Sequence, residues 1–172
     1  GAETVVAMSG LQGNSVADGR MEGFLEAAAE IGLDVVSTHR PVELPEDGLE
    51  TTTNFLAELP GPGFDGLFAF NDSSAGGAIA ALTGAGADAA VAVAAIDGTA
   101  EGVRAVEEGN LVQTVGGEFI NGGFATVLVY DAIHGHTREN RGIVLNILPV
   151  TEDNVAEYRE QFIESIPSYD AE

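Results

Sequence analysis

No cysteine occurs among the 172 residues, which excludes disulfides, thiolate metal sites and cysteine nucleophiles. Lysine is missing too. The six basic residues are all arginines, set against 28 acidic ones, for a formal net charge of −22. Such a surface repels the phosphates of nucleic acids and of anionic membranes instead of neutralising them, so neither is expected as a partner. The acids are scattered along the chain and read as a solvated shell that keeps the protein in solution, in keeping with a salty setting that screens their repulsion. No apolar run approaches the roughly 18 residues of a membrane-spanning helix. No basic-then-apolar leader opens the sequence as given. Histidine is scarce, with three residues in all.

What is present is ample apolar material, 45% of the chain, enough for one domain with a real core. It is arranged in alternating units. Strands are expected at Thr4 to Met8, Leu33 to Ser37, Phe64 to Phe70, Ala90 to Ile96 and Leu111 to Val115. Helices are expected at Val16 to Ile31, Asp47 to Leu59, Ser73 to Thr83 and Thr99 to Glu108. Met21, Phe24, Leu25, Ala28 and Ile31 form the apolar stripe of the first helix, and Asn14-Ser15 offer its N-cap. Strands and helices alternating with short connections argue for an α/β fold: a three-layer α/β/α arrangement with a mostly parallel, doubly wound sheet covered on both faces. After Val115 the pattern changes. Gly116-Gly117 interrupts the strand, Ile120 to Ile133 reads as an apolar helix, and Ile143 to Leu148 as another strand ended by Pro149. Thr151 to Glu164 is a last amphipathic helix with Thr151 as its N-cap.

In open α/β sheets ligands bind outside the carboxyl ends of the strands. Three strand ends deliver polar residues there: Ser9-Gly10, Asn71-Asp72-Ser73-Ser74, and Asp97-Gly98-Thr99. An amide at Asn71 and a carboxylate at Asp97 can bind a polyhydroxylated ligand, although either residue could equally cap the helix that follows it. Arg20, one to two turns into the first helix, offers a fork of donors for vicinal hydroxyls or a carboxylate. A surface arginine paired with acids would look the same. Gly10-Leu-Gln-Gly-Asn-Ser15 is neither GxGxxG nor GxxxxGK, so it reads as an ordinary loop and not as a phosphate cradle. No GxSxG elbow occurs, and the histidines lie away from the expected strand ends, which argues against a serine hydrolase. His134 and His136 at a helix end splay to different sides and suit the helix dipole better than a shared metal. No metal and no cofactor is expected.

Taken together, GNSVADGRMEGFLEAA, FDGLFAFNDSSAGGAIAALTGAG, VAVAAIDGTAEGVRAVEEGNLVQTV and LPVTEDNVAEY resemble, in order, the carboxyl-terminal lobe of periplasmic sugar-binding proteins of the ribose-binding type. Effector domains of the lactose-repressor type share that lobe. The resemblance implies a type I periplasmic-binding-protein fold. It implies that Arg20, Asn71 and Asp97 hold sugar hydroxyls, with Asn14 and Glu118 as further ligand contacts. Glu118 stands where the family often has a Gln or Asn. It also implies non-catalytic capture of a sugar or polyol between two lobes, hand-over to the membrane permease of an ABC importer, and a periplasmic or extracellular location. Residues 1–117 then correspond to one lobe and 118–142 to a helix of the other lobe. Residues 143–172 supply the last crossing strand and terminal helix. The apolar helix 120–133 is expected to repack onto the sheet or onto a second copy as a homodimer. A sugar-sensing effector domain of a transcription regulator and a flavodoxin-like enzyme or signalling domain are the alternatives. The VTEDNVAEY ending resembles the transporter type more.

Overall fold

The computed structural model describes residues 2–59, 63–117, 120–136, 144 and 146–165. Along the chain these form β1 (Thr4–Met8), α1 (Ser15–Ile31), β2 (Asp34–His39), α2 (Pro45–Glu58), β3 (Gly66–Phe68) and α3 (Asp72–Ala85). There follow β4 (Ala92–Ala94), α4 (Ala100–Glu107), β5 (Thr114–Gly116), α5 (Asn121–Ile133), β6 (Leu148–Val150) and α6 (Val155–Tyr158), the last continued by a wider π-helical stretch, Arg159–Glu164.

Four strands make a parallel sheet in the order β2-β1-β3-β4. A parallel bridge between Ala94 and Gln113 brings the approach to β5 alongside β4. The chain leaves β1 toward β2 on one side and returns to β3 on the other. That reversal is the switch point at which a crevice opens at the strands' carboxyl ends. The α/β architecture expected from the alternating pattern is therefore present.

The two faces of the sheet differ. Val6, Leu67 and Val93 share one register and point into a core with Phe55 of α2, Leu82 of α3 and Val103 of α4. On the opposite face Ala7, Phe68 and Ala94 share a register. There α1 packs Ala17, Met21 and Ala28 inward and stacks Phe24 on Phe68 at 4.5 Å between ring centroids. Phe68, Ala92, Ala94 and Val115 on this side are only half-buried. Helices thus cover both faces as expected, and among the described residues the α1 face is the less completely buried. The expected stripe of α1 is narrower too: Leu25 and Ile31 are exposed, because they flank the line Met21–Phe24–Ala28 that meets the sheet.

Several boundaries move. β2 runs on to His39, so this histidine does sit at a strand end, contrary to the reading of the sequence, and it is exposed. β5 includes Gly116. β6 is Leu148–Val150 and contains Pro149 instead of ending at it. It pairs antiparallel with β5 alone, so Pro149 lies on an edge strand, where proline is tolerated. The last helix starts later than expected: α6 begins at Val155 with Asn154 as its N-cap residue, and Thr151 instead opens the turn before it, its carbonyl accepting the N–H groups of Asn154 at 3.1 Å and Val155 at 2.9 Å. In the same turn the Thr151 N–H donates to Asn154 Oδ1 at 2.8 Å. Val150, Val155 and Tyr158 enter the main core.

The apolar helix α5 stands apart. None of its residues is buried, and Phe124, Val127, Val129, Tyr130 and Ile133 are exposed. The expected repacking onto the sheet does not occur. At its end His134 Nδ1 lies 2.8 Å from the Tyr130 carbonyl, with the two rings stacked, so this histidine serves the helix terminus.

Candidate functional site at the strand ends

The carboxyl end of β3 runs through Ala69 and Phe70 into Asn71, which caps α3 by accepting the Ser74 N–H on Oδ1 at 2.8 Å. Its amide Nδ2 donates to the Glu43 carbonyl at 3.0 Å. Glu43 Oε1 in turn accepts the Leu11 N–H at 3.0 Å, which ties the β1–α1 loop to the β3–α3 junction. Asn71 is therefore a structural fastener as well as a strand-end polar group.

The end of β4 is built differently. Here Thr99, not Asp97, is the N-cap of α4, its hydroxyl accepting the Gly102 N–H at 3.0 Å. Asp97 lies two residues earlier with φ at 138°. A non-glycine residue in that region costs roughly 1–3 kcal/mol and persists only where its surroundings hold it. Its backbone N–H donates to the Val115 carbonyl at 2.8 Å. Its side chain meets Arg20.

Arg20 reaches from α1 across the sheet edge. One terminal nitrogen donates to the Phe70 carbonyl at 2.8 Å and the other to Asp97 Oδ1 at 2.8 Å. The guanidinium lies 4.9 Å from the centroid of the Phe70 ring. The side chains of Arg20 and Asp97 are 16% and 31% exposed, so the pair is shielded yet open to the crevice. Arg104 and Arg159 pair with Glu108 and Glu107 at the far end of α4, and Arg40, just past the carboxyl end of β2, pairs with Asp18 of α1. A fork of donors beside a carboxylate of acceptors matches vicinal hydroxyls, each of which both donates and accepts.

The fold thus brings together Arg20, Asp97 and the Phe70–Asn71 turn. Asn14 caps α1, its Oδ1 accepting the N–H groups of Val16 at 2.9 Å and Ala17 at 3.3 Å. It joins the set only through Leu11, whose carbonyl takes the Asn14 N–H. Glu118 lies outside the described residues. Among the described residues no cluster of acids and histidines suits a metal ion.

Reading the sequence missed Asp72. Its side chain is buried, with Oδ2 accepting the Thr99 N–H and hydroxyl, both at 2.8 Å, and Oδ1 accepting the Thr114 hydroxyl at 2.6 Å. Loss of hydration pushes its carboxyl above the usual aspartate range, despite the bonds from Thr114 and Thr99. The signal was present in the Asn71-Asp72 pair, where the aspartate could not be a second cap for the helix that Asn71 already caps.

The family described as "Periplasmic binding protein domain" matches residues 1–136. The ribose import binding protein of Salmonella typhimurium is 37% identical over 112 residues, which cover 64% of this chain and 36% of that protein. The ribose import binding protein of Haemophilus influenzae is 33% identical over 112 residues, covering 64% of this chain and 37% of its own. Among solved structures, an ABC transporter periplasmic solute binding protein from Actinobacillus succinogenes, with bound D-allose, aligns with a TM-score of 0.85 at 25% identity, over 91% of this chain and 55% of that one. An ABC transporter solute binding protein from Bacillus halodurans, with bound myo-inositol, aligns with a TM-score of 0.81 at 29% identity, over 91% and 54%. The match thus spans about a third of the length of these curated relatives and about half of the solved chains.

Proposed function

The chain belongs to the family of periplasmic binding protein domains, and we propose that it forms one wall of the sugar site in the substrate-binding component of an ABC-type importer. The observation that carries this reading is the Arg20–Asp97 pair. Asp97 is released from capping by Thr99, held at φ 138°, and joined to Arg20 at the open ends of β3 and β4. A sugar or polyol would lie on this edge, its hydroxyls divided between the Asp97 carboxylate, the Arg20 fork and Asn71. Asn14 and Glu118 would contribute further contacts.

In this reading residues 1–117 form one lobe, 118–142 a helix belonging to a second lobe, and 143–172 the crossing back. Closure of the two lobes about their connections would bury the ligand and present it to the membrane permease, in the periplasm or outside the cell. The exposed apolar side chains of α5 accord with a helix whose partner surface lies in another lobe; pairing of two copies through that helix is the competing arrangement. No bond of the ligand is made or broken, so the protein acts as a binder and not as an enzyme.

The test is calorimetric titration of the protein, in its natural length, with D-ribose, D-allose and myo-inositol. Saturable one-to-one heat with at least one of them, and recovery of that compound unchanged, is the expected result. Absence of heat with all three, or conversion of any of them, overturns the reading.

A further inference from the structure

We propose that Asp72 is the positioning residue of this site, holding the Asp97 carboxylate in its ligand-facing place through Thr99 and Thr114; the inference rests on the sugar-binding reading above and deepens it. Asp97 itself is strained, so something must hold the segment around it. The bonds that do so converge on Asp72 from both sides of Asp97. From the helix side come the Thr99 N–H and hydroxyl. From the strand side comes the Thr114 hydroxyl, whose oxygen also accepts the Gly98 N–H at 3.1 Å. The Asp72 backbone N–H closes the set on the Ile96 carbonyl at 2.8 Å. Residues 96, 98 and 99, which bracket Asp97, are thus all referred to one buried side chain and its backbone.

The surrounding donors suit the carboxylate form. Both threonine hydroxyls accept a backbone N–H, from Gly102 and Gly98, so their hydrogens are directed at Asp72. With the Thr99 N–H this makes three donors aimed at two oxygens that only accept. An amide at this position could accept on one side only, so the bond on its other side would be lost or reversed. The packing around Asp72 is close, since a Cβ on Gly102 would fall 2.0 Å from Asp72 Oδ2. A buried ionised carboxyl is an expensive way to brace a loop, and burial does raise its proton affinity. Its cost to the fold and its service to the site can therefore be separated by experiment.

The experiment compares wild type with Asp72→Asn, Thr114→Val and Thr114→Ser, in the natural-length protein, at a temperature where circular dichroism shows each to be folded. For whichever of D-ribose, D-allose and myo-inositol the wild type binds, Asp72→Asn is expected to raise Kd roughly tenfold or more in protein that is fully folded. Thr114→Val should weaken binding in the same sense, and Thr114→Ser, which keeps the hydroxyl, should restore it. Amide hydrogen exchange at Gly98 and Thr99 should accelerate in Asp72→Asn with or without sugar. Wild-type Kd in Asp72→Asn, or unchanged exchange at both amides, overturns the proposal. If Asp72→Asn does not fold, equal Kd for Thr114→Val and wild type overturns it, as does a Thr114→Ser variant as weak as Thr114→Val. A wild type silent toward all three compounds overturns the sugar reading instead, and the exchange rates still report whether Asp72 holds the loop.

Discussion

The two strand-to-helix junctions at the centre of the sheet start from the same design and end differently. At the end of β3 the first polar residue, Asn71, spends its side-chain oxygen on capping α3. At the end of β4 the cap is delegated to Thr99, and Asp97 is pushed to φ 138°, a conformation that glycine tolerates best. The first junction follows local preference at no cost to the backbone. The second departs from it, and such departures concentrate at functional sites. A polar residue after a strand is thus no guide to function until its neighbour's capping role is known.

The largest expected effect falls on Asp97. Asp97→Gly removes the carboxylate and relieves the positive φ, so sugar affinity should fall roughly 100-fold, the worth of charge-assisted hydrogen bonds. The melting temperature should hold or rise, with calorimetry and circular dichroism reading the two quantities. Loss of stability at unchanged affinity would reverse the assignment of roles to the junctions. Gly102→Ala comes next. Its Cβ would meet Asp72 Oδ2 at 2.0 Å, and such overpacking costs about 1–3 kcal/mol in urea denaturation. A neutral result would show that α4 can shift and that the brace at β4 is loose.

Asn71→Ala should act mainly on the fold. The lost cap costs about 1 kcal/mol, seen as a lower urea midpoint, with a smaller effect on affinity than Asp97→Gly. The reverse ranking would make Asn71 the dominant ligand residue. The smallest effect is the pH dependence of Asp72. Its folded-state carboxyl takes up a proton before the unfolded chain does. Between the ordinary aspartate range and the raised value, lowering pH therefore adds stability from this group, and raising pH removes it. Asp97 is the charged neighbour that adds to the rise. Wild type should gain on Asp72→Asn as pH falls through that window in paired melting curves. A flat difference would show that burial does not penalise this carboxylate.

Much of this arrangement was legible in the chain. The strand–helix alternation, the strand-end positions of Asn71 and Asp97, and the cap at Asn14 all follow from local patterns of apolar runs and polar stops. Arg20 was visible as a candidate because so few basic residues compete with it. What the chain did not display was nonlocal. Asp72 is bonded to residues 27 and 42 positions away, and no local rule pairs an aspartate with threonines at that distance. Leu25 and Ile31 fit the helical period of α1 but lie beyond the line that meets the sheet. α5 has the composition of a buried helix, yet the surface that would cover it is not among the described residues.

The central claim is that Arg20 and Asp97 together hold the ligand. The crystal structure of the natural-length protein with D-allose or D-ribose tests it most directly. Sugar hydroxyls are expected within hydrogen-bond distance of an Asp97 carboxylate oxygen and of an Arg20 guanidinium nitrogen at the carboxyl ends of β3 and β4. A sugar bound elsewhere, with the Arg20–Asp97 pair touching only protein, would contradict it.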